Sequence, residues 1–313
     1  VKGAVEAVNS SDEIRVILVG KQDMIAKELE KYEYAKEDIE VVHASEIIDM
    51  GDVPTVAIKD KKDSSLVVAM RLVREGKADA LVSAGSTGAV LVGGQLVVGR
   101  LKGIKRPPLA PFIPTTKGFS LLIDCGANVD ARPEHLVQFA QMGSIYYENV
   151  MGKKNPTVAL LNIGTEEEKG NQLVKDTKPL MKECKNINYI GSVEARELVS
   201  GAADVIVCEA FVGNVVLKFF EGLALTLFGS LKEGLMSSTR TKLGALLVKP
   251  ALKGLKNQFD TSSQGGAPLL GLKGLVVKAH GNSSSKEIEI ALKQCISFKK
   301  QKINEKIKES ICD

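Results

Sequence analysis

The sequence predicts an α/β protein built on a doubly wound, mostly parallel sheet. Short Val/Ile/Leu runs alternate with longer amphipathic stretches, the rhythm of buried strands joined by crossover helices. Polar, glycine-containing turns fall repeatedly at one place in that rhythm, just after a strand. A single long segment, Leu217 to Lys256, breaks the rhythm and is helical in pattern throughout. With 313 residues, 44% hydrophobic and 26% charged, the chain can bury a large core. It is read as one domain over 1–313, with two lobes sharing a cleft.

The chain opens at Val1 in a helical stretch, Val1–Val8, and a further segment is expected ahead of it. Strands are expected at Arg15–Val19, Glu40–His43, Ala80–Ser83, Ser120–Asp124, Thr157–Asn162, Ile187–Ile190, Val205–Cys208 and Leu275–Ala279. Each is a short apolar run bounded by turn residues. Helices are expected at Asp23–Lys31, Ser64–Glu75, Thr87–Gly99, Pro133–Met151, Gly170–Cys184 and Val193–Ser200. Within Leu217–Lys256, Gly222, Gly229, Gly234 and Pro250 predict a bent, protruding helical hairpin, and its second half carries Arg240, Lys242, Lys249, Lys253 and Lys256 without an acid. From Ser284 the pattern is a C-terminal helix ending in a lysine-rich solvated tail.

Composition removes several function classes. Aromatic residues make up 4% and Trp is absent, so stacking platforms for single-stranded nucleic acid are not expected. A net charge of +4 is too small to argue for nucleic acid. Cys125, Cys184, Cys208, Cys295 and Cys312 form an odd set without a C-x-x-C pair, which predicts incidental thiols in a reducing compartment. His43, His135 and His280 lack metal-ligand spacing, and no metal or organic cofactor is indicated. No unbroken run of 18 apolar residues and no secretion signal is present, so a cytosolic protein with nothing crossing a bilayer is expected.

The strand-end turns hold the candidate chemistry, because ligands of open α/β sheets bind at the carboxyl ends of strands. In Ser83–Gly88, Gly85 and Gly88 permit close approach of backbone N–H groups, Ser86 and Thr87 add hydroxyls, and a helix start follows. That suits phosphate or carboxylate, although a plain tight turn is at least as good a reading of this segment alone; the pattern is neither a P-loop nor G-x-G-x-x-G. Asp124, Gly126 and Asn128 repeat the design, with Arg132 and His135 following; His135 alone reads as an ordinary, partly exposed helix residue. In Asn162–Gly170, Asn162, Gly164 and Thr165 supply hydrogen bonds and Lys169 a mobile cation for an attacking anion and an oxyanion, while Glu167 and Glu168 read as a solvated first turn. Gly213 precedes Asn214 and Lys218, which share a helix face and point into the cleft or, for Lys218, simply to solvent. His280 ends a strand and reads equally as a ligand-binding or a structural residue.

Two units also resemble each other. Ala78-Asp79-x-Leu81-Val82…Gly88-x-Val90 and Ala203-Asp204-x-Ile206-Val207…Gly213-x-Val215 agree at five of thirteen positions. Either both are common strand–turn–helix sequences, or each lobe gives one anion-binding turn to the cleft. There is no G-x-S-x-G elbow, no paired Cys and base, and no aspartate cluster for two metals. The inventory of donors and cations fits direct attack by a bound anion.

Taken together, S-A-G-S-T-G-A (83–89), V-G-R-L-K-G-I-K-R-P (98–107), D-C-G-A-N-V-D-A-R-P-E-H-L-V-Q-F-A (124–140), L-L-N-I-G-T-E-E-E-K-G-N (160–171), G-S-V-E-A-R-E-L (191–198), A-F-V-G-N-V-V-L-K (210–218), G-G-A-P-L-L-G (265–271) and A-H-G-N-S (279–283) resemble the bacterial phosphate acyltransferases of phospholipid synthesis, the PlsX family. The resemblance runs in order through nearly the whole chain. It implies a fold similar to isocitrate and isopropylmalate dehydrogenases and phosphotransacetylase. It also implies transfer of a long-chain acyl group from acyl carrier protein to inorganic phosphate, a homodimer, and peripheral contact with an anionic membrane and with the membrane-bound glycerol-3-phosphate acyltransferase. Members ordinarily begin with a strand and an Asp-x-x-Gly-Gly-Asp turn, an element expected ahead of Val1.

The expected site therefore places Lys169, Asn214 and His280 in catalysis. Ser83, Gly85, Ser86, Thr87, Gly88, Asp124, Gly126, Asn128, Asn162, Gly164, Thr165, Gly213, Lys218, Gly265 and Gly266 are expected around the phosphate and thioester. Arg240, Lys242, Lys249, Lys253 and Lys256 are expected at membrane or carrier protein. Two other readings remain: a non-catalytic membrane-surface scaffold for carrier protein, and a decarboxylating dehydrogenase of similar fold, for which clustered aspartates and arginines are wanting.

Overall fold

A computed structural model describes residues 1–259 and 264–311; the side chain of Lys256 and the residue Cys312, both named above, lie outside the described residues. In chain order the elements are α1 (Lys2–Asn9), β1 (Val16–Gly20), α2 (Gln22–Leu29), β2 (Ile39–His43), α3 (Pro54–Asp60), α4 (Ser65–Arg74), β3 (Ala80–Ser83), α5 (Thr87–Gly93), β4 (Phe112–Thr115), β5 (Gly118–Ile123), α6 (Pro133–Met151) and β6 (Thr157–Asn162). They continue with α7 (Gln172–Glu183), β7 (Asn188–Glu194), β8 (Val205–Val207), α8 (Ala210–Met236), α9 (Thr239–Gln258), β9 (Ala267–Leu269), β10 (Leu275–Lys278), α10 (Ser285–Lys300) and α11 (Ile303–Ile311).

The strands form three hydrogen-bonded groups, β1-β2, β3-β10-β9 and β4-β5-β8-β6-β7, where a single sheet was expected. Pairing is parallel except for β4 with β5 and β9 with β10. Alternation within the five-stranded sheet shows why its strands are apolar throughout. Leu121, Ile123, Val158, Leu160, Val205 and Val207 enter the large core with α6, α10 and α11. Leu122, Ala159, Leu161 and Ile206 enter a second core, closed by Leu198 and by Val212, Val216 and Leu217 of α8. Successive side chains point to opposite faces, so a strand covered on both has no polar position to offer.

Several expectations need correcting. The stretch expected as a helix at Val193–Ser200 continues β7 to Glu194, and only Ala195–Ser200 turns, as a 3₁₀ segment. The supposed solvated tail is instead α11, whose Ile303 and Ile307 are fully buried in the main core. Residues 217–256 do not bend at their glycines: α8 starts earlier, capped by Glu209, and runs unbroken through Gly222, Gly229 and Gly234. The break falls at Ser237–Ser238, where Ser238 Oγ accepts the Thr241 N–H at 3.2 Å, and α9 then passes through Pro250. The Phe220 ring lies 6.4 Å from Phe259, so the second helix returns along the first. By length and composition α8 could cross a membrane, and it lies mostly exposed. The expectation to the contrary counted unbroken apolar runs, whereas α8 qualifies with polar residues interspersed.

Candidate active site

Parallel strands β5, β8 and β6 are neighbours, which brings the turns after them to one end of the sheet. The first two are fused by a short reciprocal ladder. The Cys208 N–H donates to Ile123 O at 2.8 Å, and the Asp124 N–H donates to Cys208 O at 3.0 Å. A Cβ on Gly213 would stand 1.9 Å from the Asp124 carbonyl oxygen; only glycine lets α8 start this close to β5. The ideal Cβ position of Gly126 lies 3.9 Å from Asn214 Oδ1, so the Asn214 amide stands over the turn after β5. Asn214 is exposed there, on the first turn and a half of α8.

Asp124 is fully buried. Its Oδ1 accepts N–H groups from Leu109 at 2.9 Å and Ala127 at 3.1 Å, and its Oδ2 accepts Asn128 Nδ2 at 2.7 Å. Burial outweighs these three donors and pushes the carboxyl up to about 6. Asn128 gives its second N–H to Pro107 O at 2.9 Å. Asp124 and Asn128, both expected to touch substrate, build the turn: both Asp124 oxygens and Asn128 Nδ2 already have protein partners. Gly213 is likewise a packing residue, buried and with its N–H on Glu209 O at 3.0 Å.

The loop after β6 is made in the same way. Asn162 Nδ2 donates to Gly164 O at 2.9 Å and Lys169 O at 3.1 Å, so this amide nitrogen too shapes the loop. Lys178 on α7, 3% exposed, donates from Nζ to the carbonyls of Glu166 at 3.0 Å, Glu167 at 2.8 Å and Lys169 at 3.1 Å. Sequence reasoning missed Lys178, since nothing local distinguishes it from the other lysines of α7. With these carbonyls drawn inward, Thr165 and the Lys169 side chain stand exposed at the rim, and Gly164 is buried beneath them.

A second set of turns belongs to the three-stranded sheet, where β3 and β10 run parallel. The Ala279 N–H donates to Ser83 O at 2.9 Å, and the Gly281 Cβ position would lie 3.9 Å from Ala84 O, so the His280 loop lies against Ser83–Gly88. Ser83 Oγ accepts the Gly85 N–H at 3.2 Å, and the buried Ser86 caps α5 through the Ala89 N–H at 3.5 Å. Thr87 is exposed, while Gly88 packs on Pro54, 2.6 Å from its Cβ position. The two look-alike units thus share a glycine of close approach, Gly88 in the first turn of α5 and Gly213 in the first turn of α8. His280 is exposed, and its Nδ1 accepts the Asn282 N–H at 3.2 Å; the neutral ring then carries its proton on Nε2.

Gly265 and Gly266 depart from expectation. The Gly266 N–H donates to Gln294 Oε1 at 3.0 Å, and its carbonyl accepts Gln294 Nε2 at 3.2 Å. Gln294 also reaches Tyr146 Oη at 2.7 Å, so this pair anchors β9 to α10 and α6. His135 is corrected as well: it is buried, and its Nδ1 accepts the Arg132 N–H at 3.1 Å as part of the α6 cap. Burial lowers its pKa. Lys218 is exposed and paired with Glu221 at 2.6 Å.

Leu109 ties the two sets of turns together. Its N–H holds Asp124, and it forms an antiparallel bridge with Leu269 of β9. Ala127, in the turn after β5, packs on the core shared by Leu91, Leu109, Leu269 and Val276. The result is a shelf of strand ends carrying Lys169, Thr165, Asn214 and Lys218 from one sheet and Thr87, Lys278 and His280 from the other. Two cavities lie elsewhere, about 450 Å³ between α6 and α11 and about 350 Å³ beside Arg71 and Arg74. Neither collects residues of these turns. Buried Cys125 and Cys208 have thiols raised well above the ordinary range by burial, which makes them poor nucleophiles.

Residues 1–306 match the family described as fatty acid synthesis protein. A phosphate acyltransferase of Alkaliphilus oremlandii is 54% identical over 311 residues, covering 99% of this chain and 92% of that protein. One from Clostridium acetobutylicum is 50% identical over 307 residues, covering 98% and 92%. Among solved structures, a phosphotransacetylase from Streptococcus pyogenes superposes with a TM-score of 0.66 at 16% identity, over 96% of this chain and 92% of that one. A branched-chain phosphotransacylase from Enterococcus faecalis gives 0.53 at 17% identity, over 91% and 98%. At such identities these structures establish a shared α/β fold.

Proposed function

The chain belongs to the phosphate acyltransferase family and is an acyltransferase enzyme; from that premise we propose that it moves a long-chain acyl group from acyl carrier protein to inorganic phosphate. The product is an acyl phosphate, the donor for acylation of glycerol 3-phosphate in phospholipid synthesis. The observation that carries this reading is the shelf at the strand ends, where cations and an amide stand exposed over turns whose carbonyls are already engaged.

In the proposed reaction a phosphate oxygen attacks the thioester carbonyl carbon. The C–O bond forms, and electron density moves to the carbonyl oxygen, which Asn214 and Lys169 stabilise. Collapse breaks the C–S bond, and the sulfur leaves as a thiolate that takes its proton from solvent, with His280 Nε2–H placed to donate a hydrogen bond to it. Rate enhancement then comes from positioning and fixed dipoles, supported by Lys178, Asn162, Asp124 and Asn128 beneath.

We read α8 and α9 as a hairpin arm with two uses. Its first half suits packing on a second copy, and its basic second half suits an anionic membrane or the acidic carrier protein. Leu225 and Leu247, 77% and 84% exposed, support a surface that is covered in the working assembly. The direct test is release of free thiol from long-chain acyl carrier protein with and without inorganic phosphate. Release that requires phosphate supports the reading, and release at the same rate without it removes the reading.

A further inference from the structure

Lys278 closes β10, in register with Ser83 at the end of β3. Sequence reasoning passed over it as part of a strand. It is half-buried, and its ammonium donates to the carbonyl of Ala279. The Ala279 N–H in turn holds Ser83 O, and the loop beyond rests against Ala84. The ammonium thus lies at the seam between the Ser83–Gly88 turn and the His280 loop, where two parallel strands end.

Its surroundings are unusual for a lysine. Burial and the nearby charge of Lys218 on α8 both push it below the ordinary lysine range, and no acid acts on it appreciably among the described residues. Lys218 comes from the side of the five-stranded sheet and is itself steadied by Glu221. Lys218 thus lies near enough to Lys278 to act on its charge, and Lys278, half-buried where two parallel strands end, forms no ion pair with a carboxylate among the described residues. Such a pair is stabilised when an anion enters between its members. Of the polar groups expected around the substrate, the Asn128 and Asn162 amide nitrogens and the Gly266 N–H already have protein partners.

We propose that Lys278 is a direct ligand of the phosphate substrate and that Lys218 completes the clamp from the other sheet. This rests on the acyl-transfer reading and adds to it the residue that seizes the nucleophile. The phosphate dianion sits between β10 and α8, within reach of the exposed His280 loop, and the acyl thioester approaches over the Asn214 turn.

Thermal unfolding of the full chain, titrated with inorganic phosphate, tests the clamp beside steady-state kinetics. Wild type is expected to melt higher as phosphate rises. Losing one charged hydrogen bond should raise the phosphate needed for half that effect, and KM for phosphate, by about tenfold or more in Lys278→Met and Lys278→Gln. KM for the acyl donor should stay within about twofold, since uniform binding of that substrate is untouched. Lys278→Arg is expected to recover most of the phosphate response. Phosphate binding and KM unchanged in Lys278→Met, or both substrates weakened equally with no recovery by arginine, would overturn the clamp. A wild type that turns over with phosphate while Lys278→Met keeps its phosphate KM sinks the clamp alone. A wild type with neither phosphate stabilisation nor phosphate-dependent turnover sinks the acyl-transfer reading as well.

Discussion

Asp124 is the residue whose environment makes the sharpest forecast. Its carboxyl, raised to about 6 by burial, holds its proton in the folded state at pH values where the unfolded chain has lost it. Stability from this group is therefore complete in acid and declines as pH rises through about 6. The shift corresponds to about 3 kcal/mol between pH 4 and 7. Urea unfolding across that range should show the decline in wild type and its absence in Asp124→Asn; equal slopes would contradict the assignment. Glu289 works in the opposite direction. Lys286 and Lys293 pull it down to about 2, so its contribution is present above the ordinary carboxylate range and fades only as pH falls toward 2. Lys178 gives a second forecast. Lys178→Met removes the ammonium shared by three loop carbonyls, leaving Glu166 O with the Lys169 N–H and Lys169 O with Asn162 Nδ2, and should lower stability by about 1–3 kcal/mol, with faster proteolysis at 166–169 as the local readout. The sequence pattern located these turns but not the protein partners of the side chains within them. Asn128 meets Pro107 and Asn162 closes its own loop through contacts that depend on tertiary folding, and Lys278 is hidden in an apolar strand run.

At the scale of elements, strands were legible where both faces are buried. Thr157–Asn162 and Ala80–Ser83 have the bounds expected for them. The missed strands are β4 and β9, which contain Pro114 and Pro268 and lie at sheet edges. Proline is tolerated there because an edge strand can leave a ladder donor unused, so the residue that argued against a strand in sequence marks its position in the sheet. Tertiary burial likewise turned a lysine-rich tail into α11. The glycines of α8 differ in what surrounds them. Gly213→Ala would drive a methyl into the Asp124 carbonyl, and a loss of at least about 2 kcal/mol is expected from the forced backbone shift. Nothing lies within 4 Å of the Cβ position of Gly222, so Gly222→Ala should stabilise α8 by about 0.5–1 kcal/mol. Chemical denaturation of both variants checks the contrast; similar midpoints would mean that α8 does not pack as described.

For the whole molecule, the buried cores and the α8–α9 pair separate fold from function. Both sheet faces are covered, yet the long helices leave Phe219, Leu225, Leu246 and Leu247 more than half exposed, beside lysines that have no acidic neighbours in α9. If the basic half meets anionic lipid, each lysine near the surface contributes about 1 kcal/mol. Lys249→Glu with Lys253→Glu should then weaken sedimentation with anionic vesicles by about tenfold or more, and unchanged sedimentation would reject lipid as the occupant. The central claim concerns the shelf of strand ends, and its most direct measurement is turnover by the Lys169→Ala/Asn214→Ala double variant with phosphate and acyl carrier protein substrate. Removing an oxyanion donor and its cation should lower kcat by roughly 100-fold or more while the unfolding midpoint stays near that of wild type. Full turnover in that variant would contradict the account.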